Sequence, residues 1–337
     1  MMVTISRNAD GRTYRLESDL LAVTINPERG ADVLSVIWRP TETEILWQNP
    51  RSRGLSPLRG DYDTDPRSYF DNYPGGMQEI FPNAGPATEI GGATLPFHGE
   101  ALRRPWTVEH TETALTCTTA LTRYPFALTK TFRLDGGVLH VSARVENLSD
   151  TELPVHWGFH PAFNTQTIAG SGQVYGAFDA LTSHPDKFSS SQLHAPGTRI
   201  DASPVDGVGV FNLAPAGSRS ADLLYATVSE GWFGLRSPSM DLLVTMSWPA
   251  EVLPELWIWE EAHAPGGYPW WGTAHIVAVE PHTTSPFGPL ASEHGAIKIS
   301  GGDTLQIELT LGVQPIAQKE IPIGMDTTGV AQLGVKT

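Results

Sequence analysis

The strongest constraint on the fold of this chain is an alternation of apolar and polar side chains with a period of two residues. Its clearest instance covers residues 126–134 and 139–145, which flank the sequence Asp135-Gly136-Gly137. Successive side chains of a strand point to opposite faces of a sheet, so the pattern predicts two strands. Glycine supplies the positive φ of tight turns, so we expect the two strands to form a hairpin.

Further segments carry the same alternation, whereas apolar residues at helical spacing are nearly absent. Residues 305–311 alternate in this way near the C-terminus, and we expect that strand to close the sheet. Early strands are predicted at Tyr14–Leu16, Leu20–Ile25, Asp32–Trp38 and Ile45–Trp47. The chain is therefore predicted to be all-β.

The 337 residues are enough for two ordinary domains or for one large β domain. No internal repeat and no linker divides the sequence, so we predict a single large antiparallel β-sandwich over residues 1–313. Residues 314–337 are loosely patterned and are predicted to be a C-terminal tail or arm. An arm would be compatible with a homodimer.

Composition argues against several classes of protein. Hydrophobic residues make up 40% of the chain, but no apolar run approaches the roughly 20 residues of a membrane helix. The segment from Met1 to Gly11 lacks the apolar core of a signal peptide, and the single cysteine, Cys117, is predicted to be a small buried side chain. We therefore expect a cytoplasmic protein without a membrane partner. A formal charge of −15 argues against nucleic acid, whose phosphates are bound by Lys and Arg.

Two long stretches break the alternation and are candidates for site-forming loops. Residues 49–76 are rich in Pro, Gly, Asp and Arg, and residues 183–206 contain His184, His194 and several prolines. Long irregular connections in compact domains are usually functional or disordered. The first stretch leads directly into Gly76-Met77-Gln78-Glu79, so we expect it to shape a site, with the second at its rim.

The segment His156-Trp157-Gly158-Phe159-His160-Pro161-Ala162-Phe163-Asn164 concentrates residues with special chemistry. Histidine transfers protons near neutral pH, but it also serves as a buried hydrogen-bonding residue, and the segment alone leaves both roles open for His160. Four residues of a strand span roughly 13 Å, so His156 and His160 cannot share a metal ion directly. A chelating helix is disfavoured by Gly158 and Pro161, and no metal site is predicted.

Glu280 follows the apolar run Ile276-Val277-Ala278-Val279 and precedes Pro281, so it lies where a buried strand gives way to a loop. Burial raises the pKa of a carboxyl group and suits it to act as a general base. A glutamate that turns outward at the end of a strand is the alternative, and position alone does not exclude it.

Other motifs narrow the chemistry. Gly75-Gly76 is not followed by the Lys-Ser or Lys-Thr of a phosphate-binding loop, and no serine has the context of a catalytic nucleophile. His98-Gly99 fits a turn as well as a site. Four tryptophans precede Glu280 and offer rings on which the C–H faces of a sugar can stack: Trp257, Trp259, Trp270 and Trp271.

Taken in order, these motifs resemble the aldose 1-epimerase (galactose mutarotase-like) family. The resemblance rests on a glycine-rich segment ending Phe81-Pro82-Asn83, then His98-Gly99 with Trp106 after it, then residues 158–164, then Val279-Glu280-Pro281. It covers about residues 75–281, and the order is more specific than any single motif. The family has a large antiparallel β-supersandwich fold.

The resemblance implies that the α and β anomers of a hexose are interconverted without a cofactor. Glu280 would accept the proton of the anomeric hydroxyl while His160 donates a proton to the ring oxygen. His98 would hydrogen-bond the sugar and help to polarise the ring oxygen. Trp259 and Trp271 are predicted to bind the sugar together with Gln78 and Glu79.

Some positions depart from the family pattern. Better-known members have a Gly-Arg followed by Asn-Arg where this chain has Gly76-Met77-Gln78-Glu79, so we expect Glu79 to replace the arginine that holds the sugar. The sugar-binding aspartate of the family has three candidates by order, namely Asp179, Asp222 and Asp241. The spacing of Arg103 and Arg104 does not match that of relatives that act on phosphorylated sugars.

Two other functions remain open at this point. A carbohydrate-binding or regulatory protein on the same fold is favoured by the missing arginine. Glycoside hydrolysis or elimination would need a pair of carboxylates, such as Glu79 and Glu280, at a defined separation.

Overall fold

The computed structural model describes residues 3–51, 64–165, 172–202, 204–205, 207–237 and 240–335. The predicted all-β fold with large antiparallel sheets is confirmed over these residues. Within these ranges, no helix is long and apolar enough to span a membrane. Parts of both long irregular stretches, among them residues 52–63, lie outside the described residues.

Strands account for nearly all of the regular structure in the described ranges. In chain order they begin with β1 (Thr4–Arg7), β2 (Tyr14–Glu17), β3 (Leu21–Asn26), β4 (Asp32–Trp38), β5 (Thr43–Glu44), β6 (Met77–Ile80), β7 (Thr88–Ile90), β8 (Ala93–Leu95), β9 (Thr107–His110), β10 (Leu115–Ala120), β11 (Phe126–Asp135), β12 (Val138–Asn147), β13 (Leu153–Val155) and β14 (Gly158–Asn164). They continue with β15 (Gln173–Gly176), β16 (Ala180–Ser183), β17 (Arg199–Asp201), β18 (Gly209–Asn212), β19 (Ser220–Thr227), β20 (Trp232–Arg236), β21 (Leu242–Ser247), β22 (Glu255–Ala262), β23 (His275–His282), β24 (Ile297–Ile299), β25 (Thr304–Pro315), β26 (Glu320–Met325) and β27 (Ala331–Val335). The helical elements are α1 (Pro66–Asp71) and the 3₁₀ turns Arg39–Thr41, Ala101–Arg103 and Leu290–Ser292.

Two large antiparallel sheets enclose the main hydrophobic core. The described residues form a 12-stranded sheet in the order β1-β2-β3-β4-β6-β14-β23-β22-β19-β16-β17, with β5 paired to β4. The second sheet has nine strands in the order β18-β15-β20-β21-β25-β12-β11-β10-β9. Apolar side chains of both sheets belong to one buried cluster, as expected for a sandwich.

The hairpin predicted around Gly136-Gly137 is confirmed. Strands β11 and β12 pair from Phe126 with Asn147 to Asp135 with Val138, and Gly136 has a φ of +54°. The strand over residues 305–311 is also confirmed, but it does not close the sheet. As β25 it lies inside the nine-stranded sheet between β12 and β21, because long-range pairing and not chain order decides the neighbours of a strand.

Most of the early strands are also confirmed. The three predicted from Tyr14 to Trp38 correspond to β2, β3 and β4. The predicted strand Ile45–Trp47 is wrong, because Leu46 makes only an isolated bridge with Phe163 there. The C-terminal residues continue β25 and then form the β26–β27 hairpin, whose Ile321 is buried against Tyr175 and Trp232. Cys117 is fully buried, as predicted.

Strands β6, β14, β23 and β22 are adjacent in the 12-stranded sheet and have two different faces. Phe159, Phe163 and Val279 point into the core between the sheets. The residues between them, including His160 and Glu280, therefore point to the outer face. A second buried cluster covers this outer face, and it contains Trp257 and Ala162. The alternation thus places the apolar core residues and the candidate catalytic residues on opposite faces of the same strands.

The same alternation corrects the prediction that Glu79 binds the sugar. Glu79 points into the core between the sheets, where its Oε1 accepts a hydrogen bond from Trp157 Nε1 at 2.8 Å. Its Oε2 lies 3.3 Å from Lys130 Nζ of the opposite sheet, and both side chains are buried. The Lys130 ammonium also lies 4.6 Å from the Trp106 ring centroid. Glu79 therefore joins the two sheets and does not face the candidate site.

We expect Glu79→Gln to destabilise the fold by about 3 kcal/mol or more, because it leaves the buried Lys130 ammonium without its opposite charge. The hydrogen bond from Trp157 can persist to the amide oxygen, so the loss reports the charge. Urea unfolding measures it, and adding Lys130→Met should recover part of it. Glu146→Gln is the matched control, because Glu146 forms a partly exposed pair with Arg144 and should cost less than about 1 kcal/mol. A cost for Glu79→Gln as small as that of the control would contradict this role.

Candidate active site

A cavity of about 280 Å³ lies on the outer face of the 12-stranded sheet. Strands β14, β22 and β23 form its floor, and α1 and several loops form its walls. The described residues that line it are Pro66, Tyr69, Phe70, Tyr73, Gly85, Phe97, His98, His160, Phe188, Leu223, Trp257, Trp259, Glu280 and Phe287. All three residues predicted to act in catalysis are among them.

His160 and Glu280 lie side by side because β14 and β23 are neighbours and both side chains face outward. His160 Nε2 lies 3.6 Å from Glu280 Oε1, and the two side chains are almost completely buried. A donor and an acceptor at this separation can both reach one small ligand. Position alone left Glu280 free to turn outward into solvent, but the neighbouring strands cover the end of β23.

His98 reaches the cavity from a tight turn. His98 and Gly99 both have positive φ, +59° and +81°, and a Cβ on Gly99 would lie 2.2 Å from the carbonyl oxygen of Phe81. The Nδ1 atom of His98 accepts a hydrogen bond from the Gly85 amide at 3.1 Å. The ring proton therefore belongs on Nε2, where it is available to a ligand. His98-Gly99 is thus both a turn and part of the site, because the turn positions the His98 imidazole in the cavity.

His282 is a third histidine of the site, which the sequence interpretation missed. Its Nε2 lies 3.2 Å from Glu280 Oε2, and its ring stacks on Trp257 with centroids 3.8 Å apart. Glu280 is therefore held between two imidazoles, one at each oxygen. The sequence could have identified His282 from its spacing of two residues from Glu280, because this spacing puts both side chains on the same face of a strand.

Gly158 makes room for His282. A Cβ at Gly158 would lie 2.0 Å from His282 Nδ1, because these two residues face each other across β14 and β23. The Nδ1 atom of His282 is buried and has no hydrogen-bond partner among the described residues. The glycine in the segment 156–164 is thus explained by the His282 ring of the neighbouring strand.

Burial controls the charges of these groups. It lowers the pKa of His160 to about 4 and raises the pKa of Glu280 well above its ordinary value. The pKa values of His98 and His282 are also held well below the usual range, first by burial and then by the neighbouring His160. Burial therefore favours the uncharged forms of both groups, with the proton on Glu280 and not on His160, and the two groups titrate together because they are close.

Aromatic side chains form most of the cavity wall. The ring of Tyr73 lies 5.5 Å from that of His160, and the ring of Trp259 lies 5.7 Å from it. Tyr69 and Tyr73 come from α1 and the residue that follows its C-terminal cap, in the irregular stretch that was expected to shape a site. Asp65 caps α1 by accepting a hydrogen bond from the Arg67 amide, and Pro66 occupies its first turn.

Some of the predicted sugar-binding residues line the cavity and others do not. Trp259 lines the cavity. Gln78 lies beneath the wall, where its Oε1 accepts a hydrogen bond from the Tyr69 hydroxyl at 2.9 Å and its Nε2 donates one to Asp32 at 3.0 Å. Trp271 is 63% exposed and does not line the cavity, because its loop carries it outward. Gln78 thus supports the wall, and a direct role in binding is not supported for Trp271.

The three candidate aspartates do not line the cavity either. Asp222 accepts hydrogen bonds from the amides of Leu193 and His194 and so anchors this part of the second irregular stretch. Asp179 lines a separate depression, and Asp241 is exposed. Over the described residues, no group of His, Cys, Asp and Glu is arranged to hold a metal ion.

Comparison with known proteins gives a family match over part of the chain and a fold over most of it. The model of the family described as aldose 1-epimerase matches residues 81–175, a segment that contains His98 and His160 and ends before Glu280. No sequence among curated proteins matches the chain.

Similar solved structures cover nearly the whole chain at low identity. A galactose mutarotase-like protein from Lactobacillus casei is 21% identical and has a TM-score of 0.64, covering 90% of this chain and 100% of its own. A galactose mutarotase related enzyme from Lactobacillus acidophilus is 20% identical with a TM-score of 0.65, covering 90% and 98%. A galactose mutarotase-like protein from Clostridium acetobutylicum is 15% identical with a TM-score of 0.62, covering 93% and 98%. These similarities concern the fold.

We expect Gly158→Ala to lower the free energy of unfolding by about 1–3 kcal/mol, because the added methyl group displaces the His282 ring. Chemical unfolding measures the change. Gly288→Ala is the matched control, since a Cβ there meets no atom within 4 Å, and it should change stability by less than about 0.5 kcal/mol. Equal effects of the two substitutions would show that His282 does not fill the space beside Gly158.

Proposed function

We propose that the chain is a divergent member of the aldose 1-epimerase (galactose mutarotase-like) family and that it interconverts the α and β anomers of an aldose. The observation that carries the proposal is the pair of His160 Nε2 and Glu280 Oε1, 3.6 Å apart at the floor of the cavity. A ring opening needs one group that accepts a proton and one that donates a proton, close to adjacent oxygens of the sugar. This pair supplies both.

In the proposed reaction, Glu280 accepts the proton of the anomeric hydroxyl as the C1–O1 bond becomes a carbonyl. The bond between C1 and the ring oxygen breaks, and its electron pair takes a proton from His160 Nε2. The aldehyde then rotates about the C1–C2 bond, and the reverse transfers close the ring in either anomeric form. Each such proton transfer typically contributes a factor of about 10²–10⁴ to the rate.

In this proposal, the proton required by the scheme is carried by the pair itself. Burial favours the uncharged arrangement of the two groups, with the proton on Glu280 and His160 neutral. The reactive arrangement places the same proton on His160. Moving it between the two groups requires no exchange with solvent, so a closed cavity can carry out the reaction.

His98 and His282 have supporting roles in the proposal. The Nε2–H of His98 is free to donate a hydrogen bond to the sugar, because its Nδ1 is occupied by the Gly85 amide. His282 Nε2 lies against the second oxygen of Glu280, so it orients the carboxyl group and stabilises the charge that the carboxylate carries. His282 is thus proposed as a positioning residue.

The paired-carboxylate alternative is not supported. Glu79 points to the other face of the sheet, and Glu280 is the sole carboxylate among the described residues that line the cavity. Hydrolysis by two carboxylates on either side of a glycosidic bond therefore lacks its second group.

We expect Glu280→Gln and His160→Asn each to lower kcat for anomer exchange by about 10²-fold or more, since each removes one proton-transferring group. Exchange NMR on a panel of aldoses measures the rate above the uncatalysed background. Glu261→Gln is the control. Glu261 lies on the neighbouring strand β22 and is buried like Glu280, but it accepts a hydrogen bond from the Ala264 amide outside the cavity. The Glu261→Gln variant should therefore retain activity.

Wild-type protein that binds sugars without accelerating exchange for any of them would refute the proposed enzyme and favour the carbohydrate-binding alternative. Glu280→Gln would then keep its affinity with no activity to lose.

The pH dependence follows from the lowered pKa of His160. Burial shifts this pKa from 6.5 to about 4, so the pair takes up a second proton only well below neutrality. Glu280 then cannot accept the anomeric proton, and activity is lost as the pH falls through that region. We therefore expect kcat/KM, which reports the free enzyme, to stay level from neutral pH to about pH 5 and to fall below it.

Exchange NMR across a pH series, corrected for the buffer-catalysed rate, measures this profile. A fall centred near 6.5, where an ordinary imidazole titrates, would contradict the assigned pair.

A further inference from the structure

The cavity is polar at one end and aromatic elsewhere. Eight of its fourteen lining residues carry an aromatic ring other than imidazole, whereas its imidazole and carboxyl groups are those of His98, His160 and Glu280. Within the described residues, no Asp, Asn, Gln, Arg or Lys lines it. These are the side chains that usually hold the hydroxyl groups of sugars, so the wall offers few partners for a ligand rich in hydroxyls.

Polar atoms on the aromatic wall are partly occupied by the protein itself. The Tyr69 hydroxyl donates its hydrogen bond to Gln78 at 2.9 Å, and Trp257 Nε1 donates to the carbonyl oxygen of Thr284 at 2.6 Å. The Tyr73 hydroxyl lies 3.5 Å from His160 Nδ1. These three side chains therefore present mainly ring surface to a ligand.

The proposed reaction also uses the polar end of the cavity. Glu280 is committed to the anomeric hydroxyl and His160 to the ring oxygen, which leaves His98 for the rest of the sugar. A hexopyranose carries a hydroxyl on nearly every carbon. Each hydroxyl that is buried without a partner weakens binding, because its hydrogen bonds to water are lost and not replaced.

The hydroxyl group on C6 is the one that this cavity is expected to leave without a hydrogen-bond partner. C6 is attached to C5, which is bonded to the ring oxygen, so a sugar whose ring oxygen faces His160 places C6 close to the surroundings of that imidazole. The rings of Tyr73 and Trp259 lie 5.5 and 5.7 Å from the His160 ring, measured between centroids. An apolar group at C6 would contact these rings, whereas a hydroxyl there would be buried against them.

We propose that the preferred substrates are aldoses with a methyl group in place of the C6 hydroxymethyl group, the 6-deoxyhexoses. The proposal rests on the proposed function and adds its substrate class. The methyl group packs against Tyr73 and Trp259, and the C–H faces of the ring stack on the remaining aromatic wall. Discrimination arises from the hydroxyl that a hexose would leave unpaired in the cavity.

Matched sugar pairs test the substrate class. D-Galactose is compared with 6-deoxy-D-galactose, and D-glucose with 6-deoxy-D-glucose, so that each pair differs only at C6. D-Xylose has the glucose configuration without C6. It therefore separates the loss of kcat/KM caused by the C6 hydroxyl from the increase caused by the methyl group. We expect kcat/KM from exchange NMR to favour the 6-deoxy sugar of each pair by about tenfold or more, with D-xylose between D-glucose and its 6-deoxy form.

The outcomes distinguish this inference from the proposed function. Acceleration that is equal for both members of each pair, or greater for the hexoses, would overturn the substrate class while leaving the anomer exchange intact. If no sugar is accelerated, the proposed function fails. The quenching of tryptophan fluorescence by the same sugars then still decides the class, because a preference for the hexoses would refute it.

A pair of tryptophan substitutions tests the wall itself. Trp259→Gln introduces a polar side chain near His160 and should reduce the preference for the 6-deoxy sugar towards unity. Trp271→Gln is the matched control, because Trp271 is exposed and does not line the cavity, and it should leave the preference unchanged. A preference that survives Trp259→Gln unchanged would show that this ring does not select the substituent at C6.

Discussion

The candidate site depends on one buried carboxyl group. Glu280 is almost completely enclosed, and burial of an unpaired carboxylate would cost several kcal/mol. An imidazole faces each of its oxygens, His160 on one side and His282 on the other, and Trp257 stacks on the second. The groups that make the burial tolerable are also those that can exchange a proton with a ligand. Stability and proposed chemistry therefore rest on the same contacts.

The strands of the floor serve two purposes because their faces are separate. On β14, Phe159 and Phe163 fill the core, while His160 between them faces the cavity. Adjacent residues of β6 point to opposite faces of the sheet. Glu79 binds Lys130 between the sheets, whereas Gln78 supports the cavity wall. The aromatic side chains of the cavity come partly from β22 of this floor, as Trp257 and Trp259, and partly from α1 and the loops. The substrate class is proposed to reside in this aromatic wall.

Much of the fold was accessible from the sequence, because it depends on local periodicity. The β11–β12 hairpin follows from alternation and two glycines. Three early strands were found in the same way, but Ile45–Trp47 is not a strand, because its pairing is limited to the isolated bridge between Leu46 and Phe163. For the site, the ordered motifs identified His98, His160 and Glu280, which line one cavity. The motifs could not place Glu79, because the face of a strand that meets a cavity depends on its neighbours.

The all-β class, the β11–β12 hairpin and the residue types available for proton transfer follow from the amino-acid sequence, because each depends on the period of a strand or on the chemistry of one side chain. Which strands are neighbours depends on long-range pairing in the folded protein. That pairing placed His160 against Glu280, set the His282 ring against Gly158 and put Tyr73 of the irregular stretch beside His160. These contacts join residues far apart in the chain, and no local pattern encodes a distance across a sheet.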